Sequence, residues 1–449
     1  MPPKVPAMFC LPSFSSWRLA VVWTLYLPFT AMVFAQTPVS VTVTTDRENA
    51  IYNVGETVTF NISVQQGNDV GGNKGTVSYA IDDFLSAESF AKGEVSPNAE
   101  PFQVTGSLAQ PGFLRCQVTY TPKDGKPVKA TAGAAFSPTG IGLSLPVPDD
   151  FDAFWTEQKR QLAEVPLTPQ FTKVKHSTAG IEVFDVQTPC LAGAPVSGYF
   201  AKPIDAAPRS LPAILWVHGA GVRSSVLSNA VKGAEAGMLS MDSNAHGIPN
   251  GEVASFYTDL SSGQLKDYQY AGRNSRETIY FRGMFLRLVR AIDFLTSQPE
   301  WDGKHVIVIG HSQGGGQSLA AGGLDNRVTM IATGVPAICD HSGKAAGRVN
   351  GWPKLVPDGV DGKPIPEVLE AARYVDAVNF AARCKAEAIM SVGFIDAVCP
   401  PSSCYAAYNA LTGSKSIINE PLMGHAAPAH IHDAFFTKVL QHAGLSTKK

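Results

Sequence analysis

A serine, an aspartate and a histidine lie in the second half of the chain in an order that suits nucleophilic catalysis. A serine hydroxyl attacks a carbonyl only when a base takes its proton, and the base needs a carboxylate that orients it and stabilises its cation. Ser312 is the centre of a G-x-S-x-G pattern, and Asp396 and His425 follow it. Serine, acid and base in this chain order form one of the known triads. We therefore take Ser312, Asp396 and His425 as candidate nucleophile, acid and base.

The residues around Ser312 predict a strand, a tight turn and a helix. The run from His305 to Ile309 is mostly apolar and β-branched, which is typical of a short strand buried on both faces. Glycine is needed at Gly310 and Gly314 because a side chain there would collide with the crossing strand or helix. The turn should hold Ser312 above the sheet beside a helix N-terminus, which favours negative charge. The alternative is a glycine-rich turn without chemistry.

The candidate acid and base each follow a further predicted strand. Asp396 comes after the strand that begins at Ala388, and His425 comes after the strand that begins at Ser416. The carboxyl ends of parallel strands meet at one edge of a sheet, where loops carry function. The sequence therefore predicts that all three groups lie on one rim.

Three other residues compete for these two roles. Asp340 also follows a predicted strand, and His430 and His432 come shortly after His425. We place both histidines in a predicted helix, Ala429 to His442, and interpret them as surface or packing residues. An aspartate after a strand is often only a helix cap, which is the alternative for Asp396; we assign the acid to Asp396 and the base to His425.

Two backbone N–H groups are predicted to receive the oxyanion that forms when the serine attacks. Gln313, directly after the nucleophile, supplies one of them. The other should come from the loop after an early strand, which is Val217 to Gly221, and we assign it to Ala220. We interpret His218 in the same loop as a structural brace.

From residue 149 onward, strands and helices alternate, which predicts an α/β fold with a doubly wound, mostly parallel sheet. Asp149 and Asp150 are predicted to cap the first helix, and a helical insertion is predicted from Glu367 to Cys384. The first helix places five residues on one stripe, which we interpret as a packing face: Phe151, Phe154, Trp155, Gln158 and Leu162. Strand-like runs occur at Ile181–Val186, Val196–Phe200, Ile214–Val217, Met238–Met241, Val306–Ile309, Val328–Thr333, Ala388–Val392 and Ser416–Ile418.

Residues 36–137 have the pattern of an all-β domain. Polar and apolar residues alternate from Glu56 to Val64 and again from Leu114 to Tyr120, and glycine-containing turns separate the runs. About a hundred residues of this kind predict an immunoglobulin-like sandwich. A linker rich in Pro, Gly and Ser follows at 138–148, so the catalytic domain is predicted to span 149–449. The sandwich contains no catalytic constellation; it could bind carbohydrate, act as a spacer or pack against the enzyme.

The first 35 residues are predicted to be a secretory signal peptide. Lys4 and Arg18 precede an apolar run, and Val33 and Ala35 offer small residues at the two positions that a signal peptidase reads before a cleavage point after Ala35. A membrane anchor is the alternative, but this run is shorter than the roughly 20 apolar residues that span a bilayer, and it contains Pro28. We expect a secreted or periplasmic protein without a membrane span after cleavage. Met8 is an alternative start.

The composition and the motifs argue against nucleic-acid binding and give no indication of a metal or a cofactor. Charged residues make up 16% of the 449, and the formal net charge of −2 gives no basic surface for nucleic acid. Six cysteines follow the leader, and the sequence does not choose among their pairings. No spacing of Cys or His predicts a metal site, and no motif predicts a cofactor.

Several motifs together resemble the acetyl xylan esterase / cephalosporin C deacetylase family of α/β-hydrolases. They are the sequence Gly310 to Gly315, Arg282-Gly283 on the preceding helix, the segment Asp396 to Pro401, and the later His425. The helix that opens at Asp149 is also similar to the one that opens the family's domain. The resemblance implies a secreted serine esterase that removes acetyl groups from xylan or small acetylated sugars. It also implies that a homo-oligomer is possible, which an added amino-terminal sandwich could redirect.

The chain departs from the family pattern near the site. Arg287 replaces an aspartate five residues after Arg282, and Ala426 replaces a glutamate after the histidine. Ala220 replaces a tyrosine, and Asn244 to Gly247 replaces an arginine-bearing loop. Two alternatives therefore stay open: a hydrolase for another ester or a peptide, and a non-catalytic carbohydrate-binding protein with a degenerate hydrolase fold.

Overall fold

A computed structural model describes residues 39–65, 75–84, 90–95, 101–123, 125–191 and 193–445. The predicted signal peptide lies outside these residues. Within the described part of the chain, none of the helices combines the length and the apolar character that crossing a bilayer needs. The six cysteines of this part are buried and unpaired: Cys116, Cys190, Cys339, Cys384, Cys399 and Cys404.

The amino-terminal region is built from strands alone. They are β1 (Ser40–Thr45), β2 (Ile51–Tyr52), β3 (Val58–Gln65), β4 (Thr76–Asp82), β5 (Ala91–Val95), β6 (Phe102–Gly106), β7 (Gly112–Thr121) and β8 (Val128–Phe136). One sheet has the order β1-β3-β6 and the other β2-β8-β7-β4-β5. Every pairing is antiparallel except that of β2 with β8. The all-β prediction thus holds for the described strands, while the immunoglobulin-like topology stays a prediction.

Alternation along the strands produces the core of this region. Phe60 and Ile62 on β3 are fully buried, as are Cys116 and Val118 on β7, whereas Gln117 between them is exposed. Side chains of successive strand residues point to opposite faces, so each strand contributes one apolar face to a shared core.

The rest of the chain forms one nine-stranded sheet with helices. Its elements are α1 (Phe151–Ala163), β9 (Gln170–Lys173), β10 (Ile181–Thr188), β11 (Val196–Pro203), β12 (Leu211–Val217), α2 (Leu227–Glu235), β13 (Leu239–Ser243), α3 (Ala254–Ser262), α4 (Tyr280–Ser297), β14 (Trp301–His311), α5 (Gln313–Leu324), β15 (Met330–Gly334), α6 (Pro366–Arg373), α7 (Ala377–Ala381), β16 (Glu387–Gly393), α8 (Pro401–Ala410), β17 (Lys415–Glu420) and α9 (Ala429–His442). The strand order is β17-β16-β15-β14-β12-β13-β11-β10-β9.

The prediction of a mostly parallel α/β sheet is confirmed for β12 to β17, which pair in parallel. At the other edge β9, β10 and β11 run antiparallel. The connections between these three strands are short, and a parallel pairing would need a crossover of a dozen or more residues.

Helices cover both faces of this sheet. Val308 on β14 belongs to the apolar core that includes Phe285 of α4 on one side, and its neighbour Ile307 belongs to the core that includes Phe435 of α9 on the other. A strand buried on both faces explains the continuous apolar run before Ser312.

Two predictions about the helices need correction. Asp150 is at the N-cap of α1, but its side chain bonds no helix N–H; it binds Tyr374 and Arg276 instead. The helical insertion is two helices, α6 and α7, rather than one. The break occurs at Asp376, because its carboxylate caps α7 through the N–H of Val378. A third prediction, about α1, is confirmed, because all five residues of its predicted stripe are buried.

Candidate active site

The nucleophile turn has the geometry that its glycines predict. Ser312 lies between the end of β14 and the start of α5 with φ 57° and ψ −122°, a combination that side chains rarely adopt. A Cβ on Gly310 would lie 2.6 Å from the carbonyl carbon of Gly314, and one on Gly314 would lie 2.3 Å from the carbonyl oxygen of Val217. Glycine is therefore required at both positions.

The three predicted residues meet in one chain of hydrogen bonds. The Ser312 Oγ lies 2.9 Å from His425 Nε2, and His425 Nδ1 lies 2.8 Å from Asp396 Oδ2. With a proton on Nδ1, the imidazole donates to the carboxylate and accepts from the hydroxyl. In this tautomer His425 can take the serine proton, and Asp396 can stabilise the resulting cation.

Buried backbone groups hold the carboxylate of Asp396 in place. The residue is fully buried, and its Oδ1 accepts from the N–H groups of Val398 at 2.8 Å and Cys399 at 2.9 Å. Two such bonds leave Oδ2 free for His425 and satisfy a charge that would otherwise be costly to bury. His425 itself is exposed at the surface.

The competing residues do not join this chain of hydrogen bonds. Asp340 forms an ion pair with Arg348 at 3.0 Å, and burial raises the pKa of its carboxyl. His430 contacts the Glu420 carboxylate at 2.7 Å, and His432 packs its ring edge against His311. Both histidines belong to α9, as predicted.

The loop predicted to complete the oxyanion site runs next to the nucleophile. A Cβ on Gly219 would lie 3.6 Å from the Cβ of Ser312, and the following residue, Ala220, is exposed. Gln313 begins α5, where the first N–H groups of a helix have no partner within the helix. The assignment of the N–H groups of Ala220 and Gln313 to the oxyanion stays a prediction.

His218 has the contacts of a brace, which agrees with its interpretation from the sequence. Its Nε2 accepts from the N–H of Ala245 at 3.0 Å, and its Nδ1 lies 2.7 Å from the Gly219 carbonyl oxygen. Burial, with a smaller contribution from Arg223, lowers the pKa of His218 to about 4. The neutral imidazole therefore ties two loops together near the nucleophile.

Sequence reasoning missed the polar residues beneath the nucleophile. Tyr268 donates its hydroxyl proton to the side-chain oxygen of Gln313 at 2.5 Å. Gln317 donates to the carbonyl oxygen of His218 at 3.0 Å, which connects α5 to the loop after β12. Gln317 comes four residues after Gln313, so the helical spacing of the two glutamines could have indicated that they share a face of α5. Nothing in the sequence around Tyr268 indicates its contact with Gln313.

Two departures from the family pattern contact each other. Arg287 on α4 is buried, and its Nη2 donates to the carbonyl oxygen of Ala245 at 2.7 Å. Ala245 belongs to the loop that replaces an arginine-bearing one, so both changes occur at a single contact. Arg287 and His246 line a cavity of about 530 Å³ beside α4.

One group of described residues is close enough together to hold a metal ion. The ligand atoms of Asp396, Cys399 and His425 lie within 4.8 Å of one another. A cysteine binds metal as the thiolate, but burial raises the pKa of Cys399 well above its usual value. Asp396 and His425 already bind each other, so these residues fit acid–base work better than a metal.

Comparison with known proteins agrees with the geometry. Residues 144–442 match the model of the family described as Acetyl xylan esterase (AXE1). The chain is 30% identical over 356 residues to an acetyl esterase, Axe7A, of Xylanibacter ruminicola, which covers 78% of this chain and 79% of the relative.

Two solved structures of acetyl xylan esterases are similar to this protein. An acetyl xylan esterase from Paenibacillus sp. R4 has a TM-score of 0.58 at 26% identity, covering 68% of this chain and 98% of that one. Acetyl xylan esterase 1 from Thermoanaerobacterium sp. JW/SL YS485 has a TM-score of 0.54 at 25% identity, covering 67% and 96%. The protein is thus a carboxylic ester hydrolase, and it belongs to the acetyl xylan esterase family.

Proposed function

We propose that the protein is a secreted or periplasmic serine esterase that removes acetyl groups from xylan or acetylated oligosaccharides. The observation that carries the proposal is the series of hydrogen bonds from Ser312 through His425 to Asp396, in a protein of this family. Secretion rests on the predicted leader of residues 1–35. We also propose the predicted division into an immunoglobulin-like domain at 36–137, a linker at 138–148 and a catalytic domain at 149–449.

In the first half of the reaction, His425 Nε2 takes the proton of Ser312 as Oγ attacks the acetyl carbonyl. The backbone N–H groups of Gln313 and Ala220 stabilise the oxyanion. The tetrahedral intermediate then collapses, and the imidazolium gives its proton to the departing sugar oxygen. The products are a deacetylated sugar and an acetyl group bound as an ester to Ser312.

In the second half, a water molecule replaces the sugar. His425 takes a proton from the water, whose oxygen attacks the acetyl carbonyl, and the proton returns to Ser312 as acetate leaves. Asp396 remains ionised throughout and stabilises the imidazolium in both halves.

The test is release of acetate from acetylated xylan by the wild type and by Ser312→Ala. Removal of the nucleophile of a triad lowers kcat on the order of 10⁶-fold, so release by the variant should fall to background. Unchanged release would refute the assignment of Ser312. A parallel panel of p-nitrophenyl acetate, acetyl xylan and peptide anilides separates a deacetylase from a hydrolase of other esters or peptides.

A further inference from the structure

The amino-terminal β-region packs directly against the part of the sheet that carries the acid. Phe113 on β7 is buried, and its ring meets that of Phe394 edge-on with centroids 5.2 Å apart. Phe394 is fully buried and comes two residues before Asp396. The Phe113 ring also contacts Tyr405 on α8 at 5.6 Å. One side chain of the β-region therefore touches both the start of the Asp396 loop and the helix that follows this loop.

A single residue of β8 contacts both catalytic loops. The N–H of Gly133 donates to the carbonyl oxygen of Pro421 at 2.9 Å, and Pro421 comes four residues before His425. A Cβ on Gly133 would lie 2.5 Å from the Cβ of Phe394 and 2.7 Å from its carbonyl oxygen. The backbone of β8 thus fits between the two loops so closely that only glycine has room.

The loop that carries His425 has little else to hold it. None of the residues from 421 to 430 is buried, so the loop has no side chain anchored in a core. Its backbone is tied to the other loop through the N–H of Ile395, which donates to Met423 O at 3.2 Å, and to β8 through Gly133. A shift in either contact would move the imidazole relative to Ser312.

The two residues that the β-region contributes to these contacts lie outside the part of the chain that the family model matches. Phe113 and Gly133 both precede residue 144, where the match begins. The β-region therefore adds a support to a catalytic unit that is otherwise complete.

We infer that the amino-terminal β-region is a positioning element for the acid and the base, acting through Phe113 and Gly133. The inference rests on the proposed roles of Asp396 and His425. Misplacement of a catalytic group by about 1 Å can lower the rate on the order of 100-fold. The β-region therefore supports catalysis through contacts with the two loops rather than through contact with substrate.

The test compares two variants at this contact with two matched controls in the full-length protein. Gly133→Ala and Phe113→Ala change the contact. Gly106→Ala places a methyl group against Leu114 inside the β-region, and Phe102→Ala removes a ring that packs against Tyr79. For both control residues, these contacts lie within the β-region itself.

We expect the contact variants to lower kcat for p-nitrophenyl acetate by about 10- to 100-fold with little change in KM. The controls should lower the melting temperature but keep kcat. Phe113→Leu, which keeps an apolar side chain against Phe394, should recover part of the lost kcat, and it remains informative if Gly133→Ala does not fold.

Equal kcat in Phe113→Ala and the wild type, or an equal loss in the controls, would overturn the inference. Ser312→Ala separates this result from failure of the proposed function. If Ser312→Ala is inactive while the contact variants stay fully active, only the positioning role is wrong. If Ser312→Ala stays active, the proposed function itself is wrong.

Discussion

The proposed nucleophile and its proposed acid–base partners are built in different ways. Ser312 lies in a turn between two elements that are adjacent in the chain, because a strand ends at His311 and a helix begins at Gln313. Asp396 and His425 lie on two loops that follow separate strands, and those loops depend on contacts with each other and with β8. The turn that carries Ser312 is thus continuous in sequence, whereas the acid–base pair is assembled from two loops that are distant in sequence.

This difference predicts how each region fails. Substitutions near Ser312 act through backbone geometry over a few residues, and most of the surrounding side chains are buried. Substitutions near His425 act through alignment, because the loop is open to solvent and few contacts define its position.

After removal of the nucleophile, the largest effect should come from changing the acid. In Asp396→Asn the amide oxygen is needed by the N–H groups of Val398 and Cys399, so the amide NH2 group faces His425 Nδ1. The imidazole then takes the wrong tautomer, and kcat should fall by about 10⁴-fold. Steady-state hydrolysis of p-nitrophenyl acetate measures it.

Asp340→Asn is the matched control for this prediction. Asp340 also follows a strand and is buried, but it pairs with Arg348. We expect this variant to lose stability and keep kcat. A larger loss of kcat in Asp340→Asn than in Asp396→Asn would contradict the assignment of the acid.

A smaller effect should come from the oxyanion loop, where only the backbone is expected to matter. Ala220→Pro removes one N–H donor and should lower kcat by about 100- to 1000-fold. Ala220→Tyr restores the residue that the family pattern has, keeps the N–H and should change substrate preference more than kcat. The kcat and KM of both variants on acetyl xylan and p-nitrophenyl acetate measure this. Similar losses of kcat in the two variants would show that the side chain, not the N–H, is what matters.

The smallest effect concerns stability on the nucleophile side. Burial lowers the pKa of His311 to about 4, so this imidazole is neutral in the folded protein but binds a proton below about pH 6.5 when unfolded. The unfolded state therefore gains stability over the folded state as pH falls from 6.5 toward 4. This group lowers the free energy of unfolding by about 1.4 kcal/mol per pH unit over that range. His311→Gln should consequently gain stability relative to the wild type over that range.

Urea unfolding of both proteins at pH 7, 6 and 5 measures this difference. The comparison with the variant is needed because buried Asp242 and Asp376 have pKa values raised by burial to about 7 and about 6. These carboxyls contribute the opposite slope, and they cancel when the variant is subtracted from the wild type. A difference that is constant with pH would contradict the burial argument for His311.

The same contrast explains how much could be predicted from the sequence. The turn at Ser312 was predictable because the strand, the glycines and the helix are adjacent in the chain. Asp396 and His425 were predicted from their places after strands, but only the geometry shows that the competing Asp340 pairs with Arg348 instead. The Ile307 and Val308 run predicted a strand buried on both faces, and the sheet confirms it.

Contacts between distant segments could not be predicted. Asp150 has the residue type and position of a helix cap, yet its carboxylate accepts hydrogen bonds from Tyr374 and Arg276 instead. Gly133 looks like an ordinary glycine in a strand, and only the fold shows that Phe394 and Pro421 meet there. Propensity and periodicity describe neighbours in sequence, whereas these contacts depend on which surfaces the fold brings together.

The central claim is that His425, held by Asp396, activates Ser312. The most direct measurement is labelling with a fluorophosphonate probe, followed by mass spectrometry of the modified peptide, in the wild type and in His425→Ala. The account predicts one label per chain, on Ser312, and a labelling rate that falls by orders of magnitude in the variant. A label on another residue, or an equal rate in His425→Ala, would contradict it.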